Sequence, residues 1–171
     1  MEKIGNDKVI WKTENFVVVA PNAPYISREE GGHLILKPYP DQFKFDSRLD
    51  LNPNEILEMQ RLCQMVCKAF VKAMKKQNID IVRINFFEAG NWAWKKDANG
   101  NIGKPFYHEH IFGRTINAKY QKFPEAPYLP DRKTGFYENF KTLTEEDISY
   151  IIDEIKILDD SEIYNKDKWK I

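Results

Sequence analysis

Phe106-Tyr107-His108-Glu109-His110-Ile111-Phe112-Gly113-Arg114 decides how this chain is read. Only three histidines occur in the sequence, His33, His108 and His110, and two of them stand one residue apart here. The stretch is rich in aromatic and β-branched residues, which favours a strand. Alternate side chains of a strand share a face. Phe106, His108, His110 and Phe112 should therefore point one way, and Tyr107, Glu109 and Ile111 the other. The rise per residue puts the two imidazoles about 6–7 Å apart on that face. In such a pair, one ring can attack a phosphorus while its neighbour donates a hydrogen bond to a phosphoryl oxygen. A pair of packed histidines without chemistry is the plainer alternative. H-x-H is also a metal-ligand spacing. A barrel-type metal site would want a Glu three or four residues after the second His, and Gly113 and Arg114 stand there.

The rest of the chain sets bounds on these readings. At 171 residues it has the size of one domain with an appendage. Lys+Arg and Asp+Glu both number 26, so the net charge is zero, which disfavours duplex nucleic acid as an electrostatic partner. Apolar runs such as Phe16 to Pro21 are too short to span a bilayer, and residues 1–11 lack a secretory apolar region, so the expected location is cytoplasmic. Cys63 and Cys67 lie four apart in a helical pattern, where core packing is expected rather than zinc.

Upstream, Val9-Ile10-Trp11 and Phe16-Val17-Val18-Val19 read as strands separated by a turn at Thr13-Glu14-Asn15. His33-Leu34-Ile35-Leu36 is a third strand, entered through Gly31-Gly32 and stopped by Pro38 and Pro40. Residues 53–77 carry the clearest helix signal. Asn52 is a good N-cap, Pro53 suits the first position and Glu55 can reach back to the cap. Ile56, Met59, Cys63, Val66, Phe70 and Ala73 form an apolar stripe. Residues 82–87 form a further strand, Asp97-Ala98-Asn99-Gly100-Asn101 a turn, and residues 105–112 the histidine strand. The chain is then irregular and aromatic to Phe140, a stretch expected to pack over the sheet or a partner subunit. A last helix runs from about Glu145 to Leu158, capped by Thr144. The expected class is α+β: an antiparallel sheet of about five strands with one long helix packed on it, and a C-terminal helix.

Residues 9–115 resemble the histidine-triad (HIT) superfamily of nucleotide hydrolases and transferases. Its signature, His-φ-His-φ-His-φ-φ followed by an Arg, is similar to residues 106–114 with Phe106 in place of the first His. A register with His108 first and Phe112 as the replaced third His is the alternative. Gly32-His33-Leu34-Ile35-Leu36-Lys37-Pro38 is similar to the family's Gly-His strand ending in Pro. Asp50-Leu51-Asn52-Pro53-Asn54-Glu55 resembles its helix start, and Arg83-Ile84-Asn85 the strand that ends in a ligand-facing Asn. Glu109 departs from the pattern, since an apolar residue is usual there. Gly103 departs too, at a position where the family has Ser or Thr.

The resemblance implies a HIT-like domain over residues 1–118, with residues 119–171 as an irregular extension plus helix packed on it. It implies a hydrolase of nucleotide phosphoanhydrides or phosphoramidates, of the diadenosine polyphosphate type. His108 would be the nucleophile, forming a nucleotidyl-histidine, and His110 would bind the phosphoryl oxygen. The carbonyl of Phe106 would hold the other ring nitrogen of His108. Asn85 would bind near the phosphate and Asn22 at the ribose. Lys104 and the Asn91-Trp92 pair would be the nearest substitutes for the leaving-group Ser or Thr absent at Gly103, Lys104 also compensating phosphate charge. Arg114 would neutralise phosphate or cap the strand, and His33 would support the site from behind or simply pack. No cofactor is implied, and a divalent cation would enter only with the substrate. The implied partner is a nucleotide, and the implied assembly a homodimer. Activity should decline below about pH 6.5, because the attacking imidazole must be neutral. Two other readings stay open: a nucleotide-binding module without efficient catalysis, and a metal protein using His108, His110 and His33.

Overall fold

The computed structural model describes residues 1–39, 45–97 and 99–170. Pro40 and Ala98, read as strand stop and turn residue, lie outside the described residues. The strands are β1 (Lys3–Ile4), β2 (Asp7–Lys12), β3 (Phe16–Ala20), β4 (His33–Pro38), β5 (Arg83–Phe87) and β6 (Glu109–Arg114). The helices are α1 (Pro53–Lys76), α2 (Glu145–Asp159) and the short α3 (Lys166–Trp169). The sheet runs β1-β2-β3-β4-β6-β5, and every pairing is antiparallel. The class is therefore α+β as expected, with β1 as a sixth strand. β1 is two residues long, too short to leave a pattern in the sequence.

Alternation along the strands sorts the sheet into two faces. Val18, Leu34, Leu36, Tyr107 and Ile111 join one core with Met59, Leu62, Val66 and Phe70 of α1 and Ile148, Ile151 and Ile155 of α2. The opposite face carries Val17, Val19, Ile35, Lys37, His33, His110 and Phe112. Helix α1 begins where its signals place it: Asn52 Oδ1 accepts from the N–H groups of Asn54 and Glu55, and Glu55 accepts from that of Asn52. The apolar stripe holds except at Ile56, which is 40% exposed. Leu62, Met65 and Ala69 are buried instead, because α2 covers a second side of α1. Cys63 and Cys67 are free thiols, the first buried and the second half-buried against the same core.

The histidine strand starts later than residue 105. The ladder takes in only Glu109–Arg114, because the N–H of Tyr107 donates to the carbonyl of Phe45 rather than to a neighbouring strand. Its far end is fixed by a close backbone approach. Gly31, at φ +117°, leaves no room for a Cβ, which would fall 2.4 Å from the carbonyl carbon of Gly113. Gly113 N–H donates to Gly32 O at 3.0 Å across the same crossing. Gly31→Ala should therefore combine backbone strain with overlap against immovable main chain. A loss of about 3 kcal/mol in urea unfolding is expected, and a change under 1 kcal/mol would show that the crossing yields.

Candidate active site

The three histidines meet on the open face of the sheet, and hydrogen bonds fix which nitrogen of each carries the proton. The chain begins at Tyr25, whose backbone N–H donates to His33 Nδ1 at 3.1 Å. In neutral His33 the proton must then sit on Nε2, which faces His110 Nδ1 at 2.9 Å. His110 accepts there and carries its own proton on Nε2. That N–H is buried and has no partner among the described residues. His108 is set the other way. Its Nδ1 lies 3.1 Å from Phe106 O, an acceptor, so Nδ1 holds the proton and Nε2 keeps the lone pair. The cluster therefore presents one basic nitrogen and, beside it, one acidic N–H. The rings of His108 and His110 pack edge to face with centroids 4.8 Å apart, closer than the strand rise alone predicts. Residue 108 precedes the ladder, and its ring folds back toward residue 106.

Burial keeps these rings neutral. His33 is held well below the ordinary imidazole range, first by burial and then by the charges of His110 and Arg132. His110 is pushed down to about 3, chiefly by burial, with His108 and Arg132 adding to it. His108 is lowered by burial and by the charge of Lys37, against the hydrogen bond to Phe106, which raises it.

Phe106 stands where a first histidine was expected. Its ring stacks on His108 at 4.7 Å, and its carbonyl orients the His108 ring. Glu109, the other departure, faces the helix side. It is buried and receives a hydrogen bond from Arg48 Nη2 at 2.6 Å. Burial holds its carboxyl above the usual range, against the pull of Arg48. This ion pair ties the segment before α1 to the start of β6.

The remaining sequence candidates divide. Trp92 joins the cluster, its ring 6.3 Å from His110 and 5.6 Å from Phe87. Asn85 stands opposite Phe112 in the ladder and accepts from Arg114 Nη1 at 3.0 Å, which leaves its amide N–H groups as donors. Arg114 is 1% exposed. Its Nη2 donates to the carbonyls of Gln121, Lys122 and Glu125. Of the two roles expected for it, this geometry describes a structural clasp and not a phosphate contact. Glu30 completes the clasp by accepting from the N–H groups of Lys119, Tyr120 and Gln121. Asn22 is exposed, and its N–H donates to Asp7, which also meets Lys37. Asn91 and Lys104 stand exposed on the excursion between β5 and β6. Among the described residues, no three His, Cys, Asp or Glu side chains are grouped to hold a metal ion.

Four contributors were not read from the sequence: Tyr25, Lys37, Phe87 and Arg132. Phe87 lies opposite His110 in the ladder, a position that strand alternation from Asn85 could have given. The Tyr25 ring lies 5.6 Å from His110 and 5.4 Å from Trp92, but it acts on His33 through its backbone, which no side-chain pattern reveals.

No protein-family model matches the sequence, and a search among curated proteins finds no relative. Solved structures do match. A hypothetical histidine triad nucleotide-binding protein of Sulfolobus tokodaii is similar at TM-score 0.52 and 13% identity, over 90% of this chain and 86% of that one. A Hit-like protein of Bartonella henselae, described as involved in cell-cycle regulation, is similar at TM-score 0.51 and 14% identity, over 86% of each chain. An uncharacterized protein gives TM-score 0.59 at 11% identity, over 96% of this chain and 84% of that one. The chain has the histidine-triad fold. Among the described residues no helix is long and apolar enough to cross a membrane.

Proposed function

We propose that this chain is a nucleotide hydrolase that cleaves phosphoanhydride or phosphoramidate bonds through a nucleotidyl-His108 intermediate and releases a nucleoside monophosphate. The observation that carries the reading is the opposed tautomers of His108 and His110. The Nε2 lone pair of His108 forms a bond to the α-phosphorus. The bond from phosphorus to the leaving oxygen or nitrogen breaks, and its electrons go to the leaving group, which takes up a proton. The positive charge left on the ring is stabilised by Phe106 O, which accepts from Nδ1–H. His110 Nε2–H donates to a phosphoryl oxygen and stabilises charge as it develops. Water then attacks phosphorus and releases a proton to solvent, replacing the one the leaving group took up, while the P–N bond breaks and the lone pair returns to His108. In this reading the amide of Asn85 adds a donor, its oxygen being held by Arg114. The reaction needs no resident cofactor, and a divalent ion would come with a polyphosphate substrate. The same reading has the protein as a cytoplasmic homodimer.

A half-buried, neutral His108 moves the acid limb of the pH profile. An ordinary imidazole would lose half its activity near pH 6.5. With its pKa lowered by burial, His108 stays a nucleophile further into acid. The limb of kcat/KM is expected below 6.5, and a limb above 6.5 would contradict the assignment.

The second reading, a binding module, draws on Gly103, which offers no hydroxyl to assist a leaving group. Brief mixing with a dinucleoside polyphosphate, followed by acid-free intact-mass measurement, separates the two. The hydrolase gives a nucleotidyl adduct on His108 and free monophosphate. The module gives tight nucleotide binding with neither.

A further inference from the structure

The extension after β6 brings a cation to the edge of the histidine cluster. A cleft lined by Tyr25, Trp92, Lys95, Pro130, Asp131 and Arg132 opens there. Two of its walls, the Tyr25 and Trp92 rings, are the same rings that pack on His110, at 5.6 and 6.3 Å. The cleft therefore adjoins the ring that is 3% exposed and whose Nε2–H has no partner among the described residues.

Arg132 is held in place to receive an oxyanion. Its guanidinium carbon lies 4.1 Å from the Tyr25 ring centre and 5.2 Å from that of Tyr137, so the group is stacked in place. One N–H is used, from Nη2 to Ala23 O at 2.7 Å. Among the described residues no carboxylate pairs with it. A guanidinium has five N–H donors, and those left over suit phosphate oxygens. Lys95 stands on the other wall, its Nζ 5.5 Å from the Trp92 ring centre. Its partner is Asp131 at 3.3 Å, an exposed pair that a phosphate can displace at small cost. Because the whole chain is electrically neutral, this pair of cations is a local feature and not general basicity.

We infer that Arg132 and Lys95 form an anion subsite beside His110 that receives the phosphates of the leaving half of the substrate, so that nucleoside polyphosphates are preferred to amidates with a neutral leaving group. This inference rests on the proposed nucleotidyl transfer. Negative charge builds on a leaving phosphate as its bond to the α-phosphorus breaks, and fixed cations stabilise it there. A neutral amine leaving group meets no such gain.

The test compares kcat/KM for a dinucleoside polyphosphate and for adenosine 5′-phosphoramidate, read as adenosine monophosphate release. Wild type, Arg132→Gln, Arg132→Lys and Lys95→Gln are measured, and each is titrated with inorganic tripolyphosphate by calorimetry. In Arg132→Gln the polyphosphate-to-amidate ratio of kcat/KM is expected to fall at least tenfold, and tripolyphosphate Kd to rise at least tenfold. Arg132→Lys should recover part of both, and Lys95→Gln should show smaller changes of the same sign. An equal fall for both substrates, or an unchanged ratio, overturns the subsite. If wild type cleaves neither substrate, the hydrolase reading fails by itself. Tripolyphosphate binding that is lost in Arg132→Gln then still supports the subsite, and binding that is absent or unchanged overturns it.

Discussion

His108→Ala is expected to abolish nucleoside monophosphate release, by about a thousandfold or more, while the fold and nucleotide binding persist. The size follows from the role. No other imidazole in the cluster offers a free lone pair: His33 Nε2 and His110 Nδ1 are hydrogen-bonded to each other, His33 Nδ1 accepts from the Tyr25 N–H, and His110 Nε2 bears a proton. Nothing can take over the covalent step. The fold should survive because His108 precedes the β6 ladder and is half-buried, with the Phe106 carbonyl as its hydrogen-bond partner. Turnover by a thermally unaltered His108→Ala within tenfold of wild type would remove this residue as nucleophile. Phe106 is compatible with the proposed role of His108: what a nucleophile at 108 would need from residue 106 is a carbonyl, and any residue supplies one.

Acid should unfold the protein by a route that runs through the buried imidazoles. In the native state His110 is pushed down to about 3, and its ordinary value is about 6.5. The unfolded chain therefore binds a proton that the native state refuses. Stability from this group is fully present above pH 6.5 and is lost as pH falls from 6.5 towards 3. The slope is about 1.4 kcal/mol per pH unit, and the total about 5 kcal/mol. His33 is shifted the same way and adds to the loss. Carboxylates titrate in part of this range as well, so the wild-type slope alone does not isolate the histidines. His110→Phe does, because it fills the space with a ring that cannot take a proton. Urea unfolding from pH 7 to 4 should give a clearly flatter profile for this variant, and parallel profiles would show that His110 is not held neutral by the fold.

The α1 boundaries were legible because Asn52, Pro53 and Glu55 act locally, within one turn. The faces of β6 were legible because alternation is a local rule. The start of that strand was not, since it depends on a bond between Tyr107 and Phe45, 62 positions apart as 107 and 45 are numbered. The same holds for Arg114. The family resemblance left its charge to neutralise phosphate or to cap the strand, and the fold brings three backbone carbonyls to it from residues 121–125. His33 could be read equally as packing or as support. Only the register His33↔Phe112 and Ile35↔His110 brings its ring within hydrogen-bond reach of His110. Arg132 lay in an aromatic stretch without periodicity, and nothing in that stretch announces which ring it will stack on.

The most direct measurement is a crystal structure with a non-hydrolysable nucleotide analogue bound. The α-phosphorus should lie about 3–3.5 Å from Nε2 of His108, with a non-bridging oxygen accepting from Nε2 of His110. A nucleotide whose phosphates sit away from both nitrogens, or a His108 ring turned so that Nδ1 faces the phosphorus, would contradict the account.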